Sequence, residues 1–139
     1  MPTPALPEFI EVAEFRAALL QFMRESERVI ARHGLTPQRY ALMLMIKGAP
    51  DGSERSTATE LSQRLQLAQH TVTELVGRTV RAGLVRRTAS VEDRRVVHLS
   101  LTAKGERSLQ RSFAELAAER HALRALTARS IRKLARIPQ

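Results

Sequence analysis

Apolar residues recur along this chain first at helical spacing, then in a short alternation, then at helical spacing again. Between Glu8 and His33 the positions Val12, Phe15, Leu19, Phe22, Met23, Val29 and Ile30 form one stripe, following Pro7 and stopped by Gly34. A helix of about 26 residues is about 39 Å long, more than a small core covers, so the surplus apolar length predicts contact with another subunit. Thr36 and Pro37 start a second helix as hydroxyl cap and first-turn proline, with Leu35 placed to staple against Tyr40. The run from Ala41 to Ile46 is almost wholly apolar, which makes this helix central, and Gly48 should end it. Ala49 to Ser53 reads as a turn, and Arg55-Ser56 as a weakly signalled short strand.

Thr57-Ala58-Thr59-Glu60 fits a capping box and opens a third helix with Leu61 and Leu65 inward. After the turn Gln66-Leu67-Ala68, a fourth helix begins near Gln69 and ends before Gly83. Its face of Val72, Leu75, Val76 and Thr79 should pack inward, and the opposite face collects Gln69, His70, Thr73, Glu74, Gly77 and Arg81, with Arg78 at the edge. Ala68 is a poor cap, leaving an amide free for water or for a phosphate. Beyond Gly83 the period becomes two: Leu84 to Thr88, a loop from Ala89 to Arg94, then Arg95 to Leu101 with Val97, Leu99 and Leu101 on one side. Thr102 caps a further helix that runs through Leu109, Phe113, Leu116 and Ala117 toward Leu123. Thr127 is another start signal, ahead of Ile131, Leu134 and Ile137, and both one bent helix and two short ones fit this stretch.

Two helices, a hairpin with a charged tip and a following helix are the order of a winged helix-turn-helix. The expected fold is mainly α with a small β-hairpin wing, in the order α-α-(β)-α-α-β-β-α-α. Residues 1–139 form a single protomer, 35–101 the winged lobe, and 8–33 with 103–137 the dimerisation helices.

Charge sharpens the picture. The 139 residues carry a formal net charge of +9, and the excess is uneven. Residues 1–53 hold six basic and six acidic side chains, residues 54–107 ten and six, and residues 108–139 seven and two. A basic excess confined to the region from Glu54 onward points to a polyanionic partner, nucleic acid first. The chain has no cysteine, which excludes disulfides and thiolate metal sites. It has no apolar run of about 18 residues, so no membrane span is expected. Its opening Met1-Pro2-Thr3-Pro4 lacks the basic and apolar regions of a signal peptide, and a cytoplasmic location is expected. His33, His70, His98 and His121 show no metal-ligand spacing. With no Gly-rich phosphate loop, elbow serine or paired carboxylates either, neither an enzyme nor a metal or cofactor is expected.

A helix that reads DNA needs short polar side chains with directional groups. Gln69 suits a bidentate pair with adenine and Thr73 a thymine methyl, while His70 and Glu74 complete the candidate major-groove set. Arg78, Arg81, Arg86 and Arg87 suit phosphates, which supply affinity and register without base information.

Several of these stretches resemble one family. Thr57-x-x-Glu60-Leu61, Thr71-Val72-Thr73, Gly83-Leu84-Val85-Arg86-Arg87 and above all Asp93-Arg94-Arg95-x-x-x-Leu99-x-Leu101-Thr102-x-x-Gly105 resemble the multiple-antibiotic-resistance regulator (MarR) family. By motif the resemblance covers roughly residues 35–107. It implies a homodimer held by the first and last helices, with two winged lobes on a pseudo-palindromic double-stranded DNA operator. It places the reading helix in the major groove and the wing in the adjacent minor groove, where Arg95 would enter, held by Asp93, with Arg94 as second candidate. It also implies a cleft between dimer helices and winged lobe for a small aromatic or anionic effector. Phe15, Tyr40 and Met43 are its candidate lining, and each also fits ordinary core packing. This chain differs from the family in having Ala68 where a small hydroxyl cap is frequent and Glu74 where arginine is frequent. The carboxylate of Glu74 suits a cytosine amino group or a pair with Arg78. Two other functions share parts of the pattern: a winged-helix module that binds protein without specific DNA binding, and a non-specific architectural DNA binder.

Overall fold

The computed structural model describes residues 2–136, with the side chains at positions 130, 131, 133 and 134 outside that description. The first helix, α1 (Leu6–Arg32), starts two residues ahead of Glu8 and is closed by Gly34 at φ +73°, the left-handed conformation that glycine adopts without penalty. Helix α2 (Pro37–Lys47) begins as the sequence predicts, the Arg39 amide donating to Thr36 Oγ1 at 3.2 Å. A two-residue strand, β1 (Arg55–Ser56), leads into α3 (Ala58–Leu65). There the capping box is complete: the Glu60 amide donates to Thr57 Oγ1 at 3.2 Å and the Thr57 amide donates to the Glu60 carboxylate. Gln66 makes the turn in the left-handed region, and α4 (Gln69–Arg81) follows with no side-chain cap on Ala68.

The wing is β2 (Val85–Ala89) and β3 (Val97–Leu101), antiparallel, with β1 on the other side of β3. The registers are Arg55↔Ser100 for β1 and Val85↔Leu101, Arg87↔Leu99 and Ala89↔Val97 for β2. The second strand therefore starts at Val97, two residues later than the Arg95 expected. Leu99 and Leu101 are buried as alternation requires, but Val97 is 40% exposed. Its pair with Ala89 is the last rung before the tip, past the end of the apolar layer.

The chain then continues as α5 (Ala103–Glu115) and α6 (Ala117–Leu134), two helices interrupted at Leu116. Thr127 is not a start: α6 runs through it, and its hydroxyl donates to the Leu123 carbonyl one turn earlier. Ile131 and Leu134 fall among the undescribed side chains and Ile137 outside the described residues.

Two units divide the chain. One spans Ile30–Ser112, and the other joins α1 up to Val29 with the chain from Phe113 onward. The winged unit thus takes in most of α5, beyond the 35–101 expected for the lobe, because α5 docks on its backbone and contributes Leu109 to its core. That core is Leu42, Met43 and Ile46 of α2, Leu61 of α3, Val72, Leu75 and Val76 of α4, and Leu84, Val85, Leu99 and Leu101 around the sheet. Full burial of each large aliphatic side chain contributes about 1.5–3 kcal/mol.

Polar ties then fix helix ends. Arg64 donates to the carbonyls of Met45 and Gly48 at the end of α2, and Lys104 to that of Ala82 at the end of α4. Lys47 bonds Glu54 and Glu106, the latter at 3.0 Å, and these two carboxylates, Glu54 first, hold its pKa above the ordinary lysine value. In the terminal-helix unit, the Arg120 guanidinium lies 3.6 Å over the Phe113 ring centroid.

Candidate nucleic-acid interface

Helix α4 presents the candidate reading face because its other face is packed into the core. Val72, Leu75, Val76 and Thr79 are all buried, so the residues between them are turned outward. Gln69, His70, Thr73, Glu74, Arg78 and Arg81 are exposed there, as the spacing predicts. Gln69 is not free, since its Nε2 donates to Thr59 Oγ1 on α3 at 3.0 Å. The Thr73 hydroxyl turns back to the Gln69 carbonyl at 2.9 Å. No ion pair joins Glu74 to Arg78 among the described residues. Gly77 departs from the expectation: although it lies on the outward face, it is buried, because the Arg81 and Arg87 side chains close over it.

Strand alternation separates two arginines that adjoin in sequence. Arg87 pairs with Leu99 and lies on the sheet face toward α4, while Arg86 pairs with Ser100 on the opposite face and donates to its hydroxyl at 3.3 Å. Of the four expected phosphate residues, Arg78, Arg81 and Arg87 therefore accompany the reading helix and Arg86 does not. Arg86 shares its face with His98, Thr88 and Arg55, the last an exposed cation in β1. That Arg55 shares this face is not legible from its weakly signalled strand; the register with Ser100 reveals it.

At the wing tip the sequence pair is realised as geometry. The Arg95 amide and Nε both donate to Asp93 Oδ1, at 3.0 and 3.1 Å, and Nη2 donates to Oδ2 at 3.3 Å. The Arg95 side chain, then its amide, hold the Asp93 pKa below the ordinary carboxylate value. Arg94 and Arg95 are both exposed, and the turn is closed by the Val96 amide bonding the Asp93 carbonyl at 2.9 Å.

The three candidate effector residues are placed differently. Met43 has no exposed surface and belongs to the core of the winged unit, and Tyr40 is half-buried against that core. Phe15 is half-buried on α1, in the other unit. Among the described residues no group of three His, Asp or Glu side chains is arranged to hold a metal ion, and no helix is long and apolar enough to cross a membrane.

Comparison with known proteins bears on the fold and the family. A sequence model of the MarR family matches residues 33–96. The chain is 30% identical over 84 residues to the HTH-type transcriptional repressor YetL of Bacillus subtilis, a match covering 60% of this chain and 49% of that protein. It thus spans about half the length of this relative. A MarR family transcription regulator of known structure is 25% identical, with a TM-score of 0.74 over 91% of this chain and 85% of that one. A mutant MarR from E. coli, solved in complex with operator DNA, shares the fold at 20% identity, with a TM-score of 0.70 over 96% and 94% of the two chains. Residues 33–96 thus match the MarR family model, and nearly all of the chain shares the fold of a MarR family transcription regulator.

Proposed function

We propose that the protein is a sequence-specific DNA-binding transcriptional regulator, a repressor, acting in the cytoplasm as a homodimer on a pseudo-palindromic operator. The observation that carries this reading is the wing: Arg95 is exposed at the tip yet oriented by two side-chain bonds and one amide bond to Asp93. A guanidinium presented in this way enters a minor groove with little ordering left to lose. The exposed polar face of α4 beside it suits the major groove, where Gln69, His70, Thr73 and Glu74 meet base edges. Repression is supported by the likeness to YetL.

Dimerisation is supported by apolar side chains left exposed on α1, Leu6 at 71% and Phe9 at 60% among them, with Ile10, Leu20 and Met23. Two lobes so joined meet successive major grooves about 34 Å apart. Release by a small aromatic or anionic effector rests on the family alone. Such a ligand acts by favouring a lobe spacing that no longer fits both grooves.

Fluorescence anisotropy against the chain's own upstream DNA and a scrambled duplex, across a salt series, tests the reading. Upstream DNA is expected to bind at least about a thousandfold more tightly, and Arg95→Ala to weaken it. Equal binding of both duplexes with a steep salt slope indicates electrostatics only. Absence of binding at low salt transfers the fold to the protein-interaction role.

A further inference from the structure

Glycine is the poorest helix former after proline, and Gly77 sits in the interior of α4 on its outward face. What covers it is charge. A Cβ placed on Gly77 would lie 3.5 Å from Nη1 of Arg81 and 3.8 Å from Nη2 of Arg87. One guanidinium comes from the next turn of the same helix, and the other from β2.

Neither arginine takes part in an ion pair among the described residues, and Glu74, one turn before Gly77 on the same face, pairs with neither of them; other acids are engaged elsewhere. Asp93 holds Arg95, and Glu54 and Glu106 hold Lys47. Two guanidinium groups drawn to one point with no acid between them repel each other. An anion placed there reverses the sign of the arrangement, and the planar fork of arginine matches phosphate oxygens.

We propose that Arg81 and Arg87 clamp a single backbone phosphate of the operator across the notch that Gly77 leaves. This rests on the DNA-binding reading above and deepens it. Gly77 is then a positioning residue: the space beyond its Cα is what both guanidinium ends border. A methyl group at 3.5 Å is in ordinary van der Waals contact, so alanine fits the notch. A longer side chain takes the space of the guanidinium groups.

The test is a salt series with the upstream duplex for the wild-type protein, Arg81→Ala, Arg87→Ala and the double variant. Each neutralised phosphate contributes about 0.9 to the slope of log affinity against log salt. With a clamp, either single variant weakens binding while keeping most of the slope, and the double variant flattens it by about 0.9 in total. Contacts to two separate phosphates flatten it by about 0.9 in each single variant and about 1.8 in the double, which overturns the clamp. Gly77→Ala is expected to follow the wild type and Gly77→Gln the double variant, with circular dichroism confirming that each is folded. A folded Gly77→Gln that binds like the wild type also overturns the proposal. Should Gly77→Gln not fold, the arginine series decides by itself. If the wild type shows no salt-dependent binding, the DNA reading and the clamp fall together, whereas wild-type binding with additive slopes removes the clamp alone.

Discussion

Gly105, in the first turn of α5, lies so close to Leu84 that an added Cβ would stand 3.0 Å from the Leu84 carbonyl carbon and closer still to its oxygen. That oxygen also accepts from the Thr102 amide at 3.0 Å, while Thr102 Oγ1 donates to the Gly83 carbonyl and accepts from the Gly105 amide. The start of α5 is thus seated directly on the backbone joining α4 to β2.

Backbone cannot swing aside as a side chain can. Gly105→Ala is therefore expected to cost about 1–3 kcal/mol, the usual range for overpacking, and to lower the thermal midpoint by several degrees. A melt followed by circular dichroism checks this, and an unchanged midpoint would contradict the contact. The contrast with Gly77→Ala, where only flexible arginine ends are near, is a control within the same molecule.

The bonds between Asp93 and Arg95 predict a pH dependence. Asp93 has its pKa held below the ordinary 3.8 by the Arg95 side chain and amide, so the ordering of the tip is fully present above that value. It is lost as the pH falls through the lowered pKa of the folded protein. The NMR shift of the Arg95 Nε–H should report this transition below pH 3.8. Asp93→Asn should lack the perturbed shift at every pH and bind upstream DNA several-fold more weakly, with an unaltered melt. A normal Arg95 shift in the wild type near neutral pH would show that the pair does not form in solution.

Consecutive helices offer a third test. Helix α3 has a full capping box, whereas α4 begins on Ala68 with no side-chain bond to its free amides. Ala68 already has the extended backbone of a cap residue, φ −63° and ψ 149°, so Ala68→Ser should add about 1 kcal/mol of stability without rearrangement. Urea denaturation measures the gain, and a midpoint equal to that of the wild type would show that the amides are already satisfied by water.

What the sequence made legible is local. The Thr57–Glu60 box, the Thr36 cap and the inward face of α4 follow from helical spacing, which dictates who meets whom over a turn or two, while the Asp93–Arg95 pair is implied by the family resemblance. Long-range partners carried no such signal. Lys47 reaches Glu106, 59 positions away, and Arg64 reaches back 19 residues to the Met45 carbonyl. Nothing in spacing announces that Arg87 will lie over Gly77, since that requires β2 to be folded against α4 first. Alternation also misled at Val97, because a period of two continues along a strand after the layer beneath it has ended.

β1 is only two residues long, yet it pairs Arg55 with Ser100 and Ser56 with Leu99, stitching the approach to α3 onto the central strand of the wing. The helix pair and the foot of the wing are thereby joined by sheet bonds, and in the proposed complex this join limits how far reading helix and wing shift against each other. In that proposed complex the duplex then absorbs part of any misfit between its grooves and the two elements inserted in them. Base pairs lying between the two insertion points should then be selected for how cheaply they bend, favouring pliant pyrimidine–purine steps at positions no side chain touches.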